Sequence, residues 1–414
     1  MRVVLGLRSA LCVAVLAVGP GCSFGPKAIE KTHGRYAESV RRVEEEQLLR
    51  RIVLLRYNET PVGLDIGNIA AQYELTAGAE ARPFFIAPNP SNSNIVFRTF
   101  TAILPDATLG GANRPTVTMT PDTDGASVRR FLTPINLDTL TFLTQAGWPI
   151  DTVTRVWVER MNGVPNGAGA GAPGGDDVPD DGRFRRATEL LRAAKRQELA
   201  AIRVEDRVTP VGGLVPAGAV TPAAQVEAAK GGMEFRPQGD GTQWALTRNE
   251  RKLVVEVSPG AEDSSEMVEL ASLLNLTPGR PRYDIVVANH GGPDPVRFPT
   301  APADTLRVVP RSTAQAMSFL ANGVEVPAEH ACAGVVPNLG SIGLTDGLFT
   351  VHTCAGHKPP PTAFVAVGYR GHWYYIDDRD HVSKTTFALM FHLSRLDFSR
   401  DAPRGPALTL PVGR

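Results

Sequence analysis

Four times along the chain a run of β-branched and aromatic residues ends in a polar turn rich in Asp or Ser, and a short amphipathic segment follows at once. The four stretches are "VTMTPDTDGASVRRFL" from Val117, "LVVEVSPGAEDSSEMVELASLL" from Leu253, "LRVVPRSTAQAMSFL" from Leu306 and "WYYIDDRDHVSKTTFALMFHL" from Trp373. Their spacing is irregular, which excludes a solenoid. Strands that hand over directly to short helices, with hairpins between them, predict an α+β fold built on a mixed sheet with interleaved short helices and hairpins. A long amphipathic helix precedes it. In "RYAESVRRVEEEQLLRRIVLLRYNETP" the residues Tyr36, Val40, Val43, Leu48, Ile52 and Leu55 form one apolar stripe, and Asn58 and Pro61 stop it.

The 414 residues, 43% hydrophobic and 21% charged, are enough for two sizeable cores. The Gly/Pro/Asp-rich text of 163–182 reads as a flexible loop between an N-terminal α+β domain, 35–162, and a C-terminal one, 183–400, with a tail at 401–414. Strands are expected in "VGLDIGNIAAQYEL", interrupted at its glycine–asparagine pair, in "NIVFRTFTAIL" and in "RPTVTMTP". "NLDTLTFLTQAG" has helical spacing, whereas "DTVTRVWVERMNG" alternates and predicts a strand. "RFRRATELLRAAKRQELAAI" predicts a helix with Phe184, Ala187, Leu190, Leu191, Ala194 and Ile202 inward. Residues 209–230 read as a loose peripheral segment, and "TQWALTRNERKLVVEV" as a hairpin turning at Arg248–Arg251.

The N-terminus carries Arg2 and Arg8, the apolar run Ala10–Val18, then "GPG" and Cys22. This is the pattern of a secretory signal, 1–21, too short to serve as a permanent span. With its cysteine it resembles the lipobox of bacterial lipoproteins, although Gly19 and Pro20 depart from the usual aliphatic and small residues. The resemblance implies cleavage before Cys22, a diacylglycerol on its thiol, a fatty acid such as palmitate on the new amine, and a tether over 22–34. Ser23 resembles the sorting residue of outer-membrane lipoproteins facing the periplasm. The alternative is an ordinary signal peptide with an incidental cysteine. The stretches "RYAESVRR" and "GYRGHWYYIDDRDHVSKTTFALM" are also similar to uncharacterised lipoproteins, a likeness that brings no activity with it.

Formal net charge is zero and no basic patch is legible, so nothing points to nucleic acid. The expected partners are the membrane, through the lipid, and another protein; the amphipathic helix reads first as docked on the body, with partner binding near the membrane as its alternative. No cofactor motif is found: "GAGAG" lacks the lysine–serine ending of a phosphate loop, and Asp176, Asp177, Asp180 and Asp181 lack the ligand alternation of a calcium loop.

The candidate chemistry is sparse. In "HWYYIDDRDH" the residues Asp377, Asp378 and Asp380 carry a strand into a helix, and Asp380 or Ser383 can cap it. The first reading is therefore a structural turn in a non-enzymatic envelope component. The rival is a periplasmic hydrolase using His381 or His290 with an aspartate of that turn. Cys332 and Cys354 sit in the near-copies "HACAG" and "HTCAGH"; export favours a disulfide between them, ahead of free thiols and of a Cys2His2 zinc site with His330 and His352, and no metal is assigned. Arg311-Ser312-Thr313 reads as a helix cap rather than a nucleophile.

Overall fold

The computed structural model describes residues 24–60, 64–85, 101–121, 125–167, 180–288, 303–337 and 343–399. The chain divides into two units: Met1–Glu45, Val62–Asp122 and Asp401–Arg414 form one, Glu46–Pro61 and Thr123–Arg400 the other. The fold is α+β with mixed sheets, opened by helix α1, Phe24–Arg56. The border between units falls inside α1. It does not fall at 163–182, as the composition of that stretch suggested.

In the first unit, β1 (Leu64–Phe85) and β2 (Thr101–Pro121) form an antiparallel ribbon, in register from Leu64 opposite Pro121 to Phe85 opposite Thr101. The expected interruption at Gly67 is only a register shift between Ile66 and Asn68, a bulge that the ribbon passes through.

In the second unit the order is α2 (Gly125–Leu132), α3 (Leu137–Gln145), α4 (Ile150–Trp157), β3 (Val158–Met161), β4 (Val164–Pro165), α5 (Gly182–Arg196) and β5 (Ala200–Pro216). A 3-10 turn, Ala217–Ala219, leads to α6 (Pro222–Lys230), β6 (Met233–Gln238), β7 (Gln243–Val257), α7 (Ser265–Leu273), β8 (Arg282–Val287) and β9 (Thr305–Pro310). Then follow α8 (Thr313–Ala321), α9 (Ala328–Cys332), β10 (His352–Ala355), β11 (Ala363–Tyr369), β12 (His372–Asp377) and α10 (His381–Ser399). Seven strands make one sheet in the order β4-β3-β9-β8-β7-β5, with β6 beside β7; β8 and β9 are parallel and the other pairs antiparallel. Since β3 lies beside β9, residues before and after 163–182 share one sheet.

Four local expectations are corrected. "DTVTRVW" is helix α4, because Ile150, Val153, Val156 and Trp157 also fit helical spacing and all four are buried. The strand begins only at Val158. Asn162 and Gly163 then turn β3 into β4 with φ of 43° and 81°, the double positive pair of a tight hairpin. "TQWALTRNERKLVVEV" does not turn: β7 runs straight through, pairing with β6 over Gln243–Arg248 and with β8 over Leu253–Glu256. The charged Asn249–Lys252 stretch lies between those two partners, with β5 alone alongside. Ile202 belongs to β5 rather than to α5, and 209–230 continues β5 into α6.

The four strand-to-helix turns do carry their caps wherever side chains are described. Ser264 accepts from the Met267 amide, and Ser312 forms a reciprocal capping box with Gln315. Asp380 accepts from the amide and the hydroxyl of Ser383 at 3.0 and 2.6 Å. Just before the Ser312 cap stands Arg311, 1% exposed, over the Phe319 ring at 4.1 Å. Its guanidinium donates to the carbonyls of Arg155, Val156 and Asn166, so it satisfies the last turn of α4 where the chain passes into β3.

One contiguous hydrophobic core joins the end of α1, through Leu48, Leu49, Ile52 and Val53, to Trp157, Phe319 and Phe387 of the second unit. Burial of that last stretch holds the C-terminus of α1 in place, and with it Tyr57 and Glu59.

Candidate functional site

Helix α1 ends in a Schellman turn. The Asn58 amide donates to the Leu55 carbonyl and the Glu59 amide to Leu54, with Asn58 at φ 54°. Asparagine tolerates this left-handed conformation better than most residues. The motif presents Tyr57, which is buried, and Glu59 to the second sheet, in which β12 lies between β10 and β11. There β11 and β12 are joined by Arg370 and Gly371, both at positive φ (45° and 82°). The short turn delivers Arg370 to the Glu59 carboxylate at 2.7 Å, beside the Tyr369 hydroxyl at 2.5 Å.

Period-two alternation puts His372, Tyr374 and Ile376 on the inner face of β12. The Tyr374 and Tyr57 hydroxyls meet at 2.5 Å, and Tyr57 lies 2.7 Å from His330 Nδ1. Burial raises the pKa of both phenols; their mutual hydrogen bond adds to the rise on Tyr374 and opposes it on Tyr57, and both stay protonated through the ordinary pH range. Glu59 moves the other way. The Tyr369 hydroxyl and then Arg370 hold its carboxyl below the ordinary 4.5. A depressed carboxyl contributes stability above its unfolded value and loses it as pH falls through the folded one. The melting-temperature gap between wild type and Glu59→Gln is therefore expected to be open at neutral pH and to close in acid. A gap independent of pH would remove the carboxylate from this role.

Helix α9 supplies the rest. Glu329 and His330 reach the start of β12, where the His330 and His372 rings stand edge to face with centroids 5.2 Å apart. Glu329 Oε1 is 3.8 Å from His330 Nε2 and 3.6 Å from His372 Nδ1. Donor atoms of these three side chains all lie within 4.8 Å of one another, the one such group among the described residues.

The candidates read from sequence lie elsewhere or are already engaged. Asp377 is paired with Arg379 at 2.9 Å, which pushes its carboxyl well below the usual range, and Asp378 is paired with Lys384 at 2.6 Å. Asp380 caps α10, whose first residue, His381, is exposed. Cys22 and His290 lie outside the described residues. Cys332 and Cys354 are free thiols, so the expected disulfide is not formed. The register gives the reason. Cys354 faces Trp373 across the ladder and His352 faces Tyr375, on the outer side of the sheet, whereas α9 meets the inner side through His372. The same geometry separates the two halves of a Cys2His2 set, and His352 is held instead by Glu325 at 2.8 Å.

Gly323 brings that segment in. A Cβ there would collide with the Phe349 carbonyl and with the Thr345 hydroxyl at 2.6 Å, and the bare backbone lets Gly323 accept from the Val351 amide.

Sequence reasoning missed Tyr57, Glu329, Tyr369 and Tyr374, and passed over His372 in favour of His381. The alternation of His372, Tyr374 and Ile376 was the available signal. A separate cavity of about 70 Å³ lies between α3, α4, α5 and the large sheet. Its walls are aliphatic apart from Thr141, Thr144 and Thr154, and they hold no titratable group. It offers volume without chemistry. The chain matches no family model, no curated protein and no solved structure.

Proposed function

We propose that the chain is a lipid-anchored component of a bacterial cell envelope, facing the periplasm and without catalytic activity, that assembles through its β1–β2 ribbon. The assembly reading rests on one observation: among the described residues each strand of the ribbon pairs only with the other. An isolated two-stranded ribbon is marginal in water, and this one is roughly 70 Å long at about 3.4 Å per residue. Both outer edges are templates for further strands.

Its residue order supports the same reading. From Ile69 onward, Ile69, Ala71, Tyr73, Leu75, Ala77, Ala79 and Ala81 occupy one face position, and Asn68, Gln72, Glu74, Thr76, Glu80 and Arg82 the other. The register adds Val117 opposite Ile69 and Leu109 opposite Ala77 to the apolar set. Ribbons of further copies, laid β2 beside β1, would repeat one heterologous contact and close into a ring with one apolar and one polar surface. That is the surface pattern of a membrane barrel, and a lipid at Cys22 would keep the copies at a membrane.

The hydrolase reading has no comparable support, since Asp377, Asp378 and Asp380 are each engaged in an ion pair or a cap. The anchor is tested by fractionation. Wild-type protein is expected in membranes, and Cys22→Ala in the soluble or unprocessed fraction. Intact mass showing an unlipidated Cys22 in the mature wild type would contradict it.

A further inference from the structure

We infer that Glu329, His330 and His372 form a binding site for one divalent d-block cation of the zinc type. Two imidazoles and one carboxylate are a zinc donor set, and three protein ligands with a remaining open position are usual where zinc also holds water. With bonds of roughly 2.0–2.1 Å, tetrahedral donors stand about 3.4 Å apart. The observed 3.6 and 3.8 Å from Glu329 Oε1 to the two imidazole nitrogens need only a few tenths of an ångström of closure. Glu329 is exposed, so its side chain is free to make that adjustment, and the two imidazoles, 13% and 14% exposed, stand with their donor atoms within 4.8 Å of one another.

The surroundings fit the same assignment. A ligating histidine needs its other ring nitrogen held, which fixes the tautomer. Tyr57 can do this for His330: its oxygen is 2.7 Å from Nδ1, and in the Nδ1–H tautomer it accepts that proton and leaves the Nε2 lone pair for the metal. With that tautomer the Tyr57 hydroxyl proton is left for Tyr374, 2.5 Å away. The Arg370 carbonyl makes only a long contact to His372 Nδ1, at 3.5 Å, and the Nε2–H tautomer gives it up to leave Nδ1 for the metal. The nearby Arg370 cation is neutralised by Glu59. A bound cation would join α9 to β12 and, through Tyr57, to the end of α1.

This site does not depend on the assembly or on the lipid. The test uses the tag-free full-length protein in detergent, with zinc as the probe, followed by metal analysis after desalting and by competition with a chromogenic chelator. One zinc per chain is expected, and cobalt(II) should give the intense visible absorption of a four-coordinate ion. Binding should persist when Cys332 and Cys354 are both replaced by Ser. It should weaken by about 100-fold or more in His372→Ala, and by about 10- to 100-fold in Tyr57→Phe, whose hydroxyl only positions His330. Glu329→Gln changes an exposed side chain that the fold does not need, so its loss of affinity cannot be a loss of folding. No zinc retained by the wild type, zinc held by His372→Ala or Glu329→Gln as tightly as by the wild type, or zinc lost with the cysteines would each overturn the assignment.

Discussion

Arg311→Met is expected to lower the unfolding free energy by about 3–5 kcal/mol, the largest effect of any single substitution proposed for this chain. The side chain is 1% exposed, and it donates to the carbonyls of Arg155, Val156 and Asn166, the first of which it shares with Asn166 Nδ2. Methionine fills much of the volume over Phe319 but takes the Arg311 donor from the Val156 and Asn166 oxygens, at about 1–3 kcal/mol each before relaxation, and leaves a buried turn without its cation. Burial pushes the Arg311 guanidinium down to about 9, with Glu159 opposing the shift, so at neutral pH the group remains charged. Between that value and the ordinary 12.5 the unfolded chain binds the extra proton, so Arg311 makes stability rise with pH only above about 9, and the neutral range is flat with respect to it. Urea titration of wild type and variant at neutral pH measures the difference. Arg311→Lys should recover only part of it, because an ammonium cannot span three carbonyls as a planar fork does. A loss below about 1 kcal/mol would mean that α4 and β3 are joined by other contacts.

The caps were legible because capping is local chemistry. Ser312 and Asp380, read as caps from the sequence, each act on an amide three residues ahead, as Ser264 also does, and sequence spacing carries that information intact. The α+β class came from the same turns. Helix α4 was hidden because "DTVTRVW" satisfies both periods over so few residues, and the Asn162–Gly163 pair that marks the strand after it was not used. The straight run of β7 depends on partners far along the chain, since β6 and β8 take its two halves in turn. The histidine–tyrosine site was illegible for the same reason on a larger scale. Tyr57 is 273 residues from His330 and 317 from Tyr374, so no window of sequence contains the cluster. What sequence did contain was a decoy: the dense charges of 377–381 form ion pairs and a cap within a few residues of one another.

Replacing residues 64–121 by a short Gly/Ser linker is the second large expected effect. The ribbon belongs to a different unit from the core that holds α4, the two body sheets and α10, so its removal should leave the melting temperature of the body near that of the wild type. Assembly should be abolished outright, because the proposed contacts are backbone pairings along strand edges and no shorter element replaces them. A milder change makes the same point: Pro in place of Thr76, in the middle of β1, removes an amide from the ladder and should weaken assembly without abolishing it. The most direct measurement is the protein mass of the full-length chain extracted from membranes in detergent, by light scattering, alongside the 64–121 replacement. The account predicts a closed complex of several copies for the wild type and a folded monomer for the replacement. A wild-type monomer, or complexes of equal mass from both proteins, would contradict it.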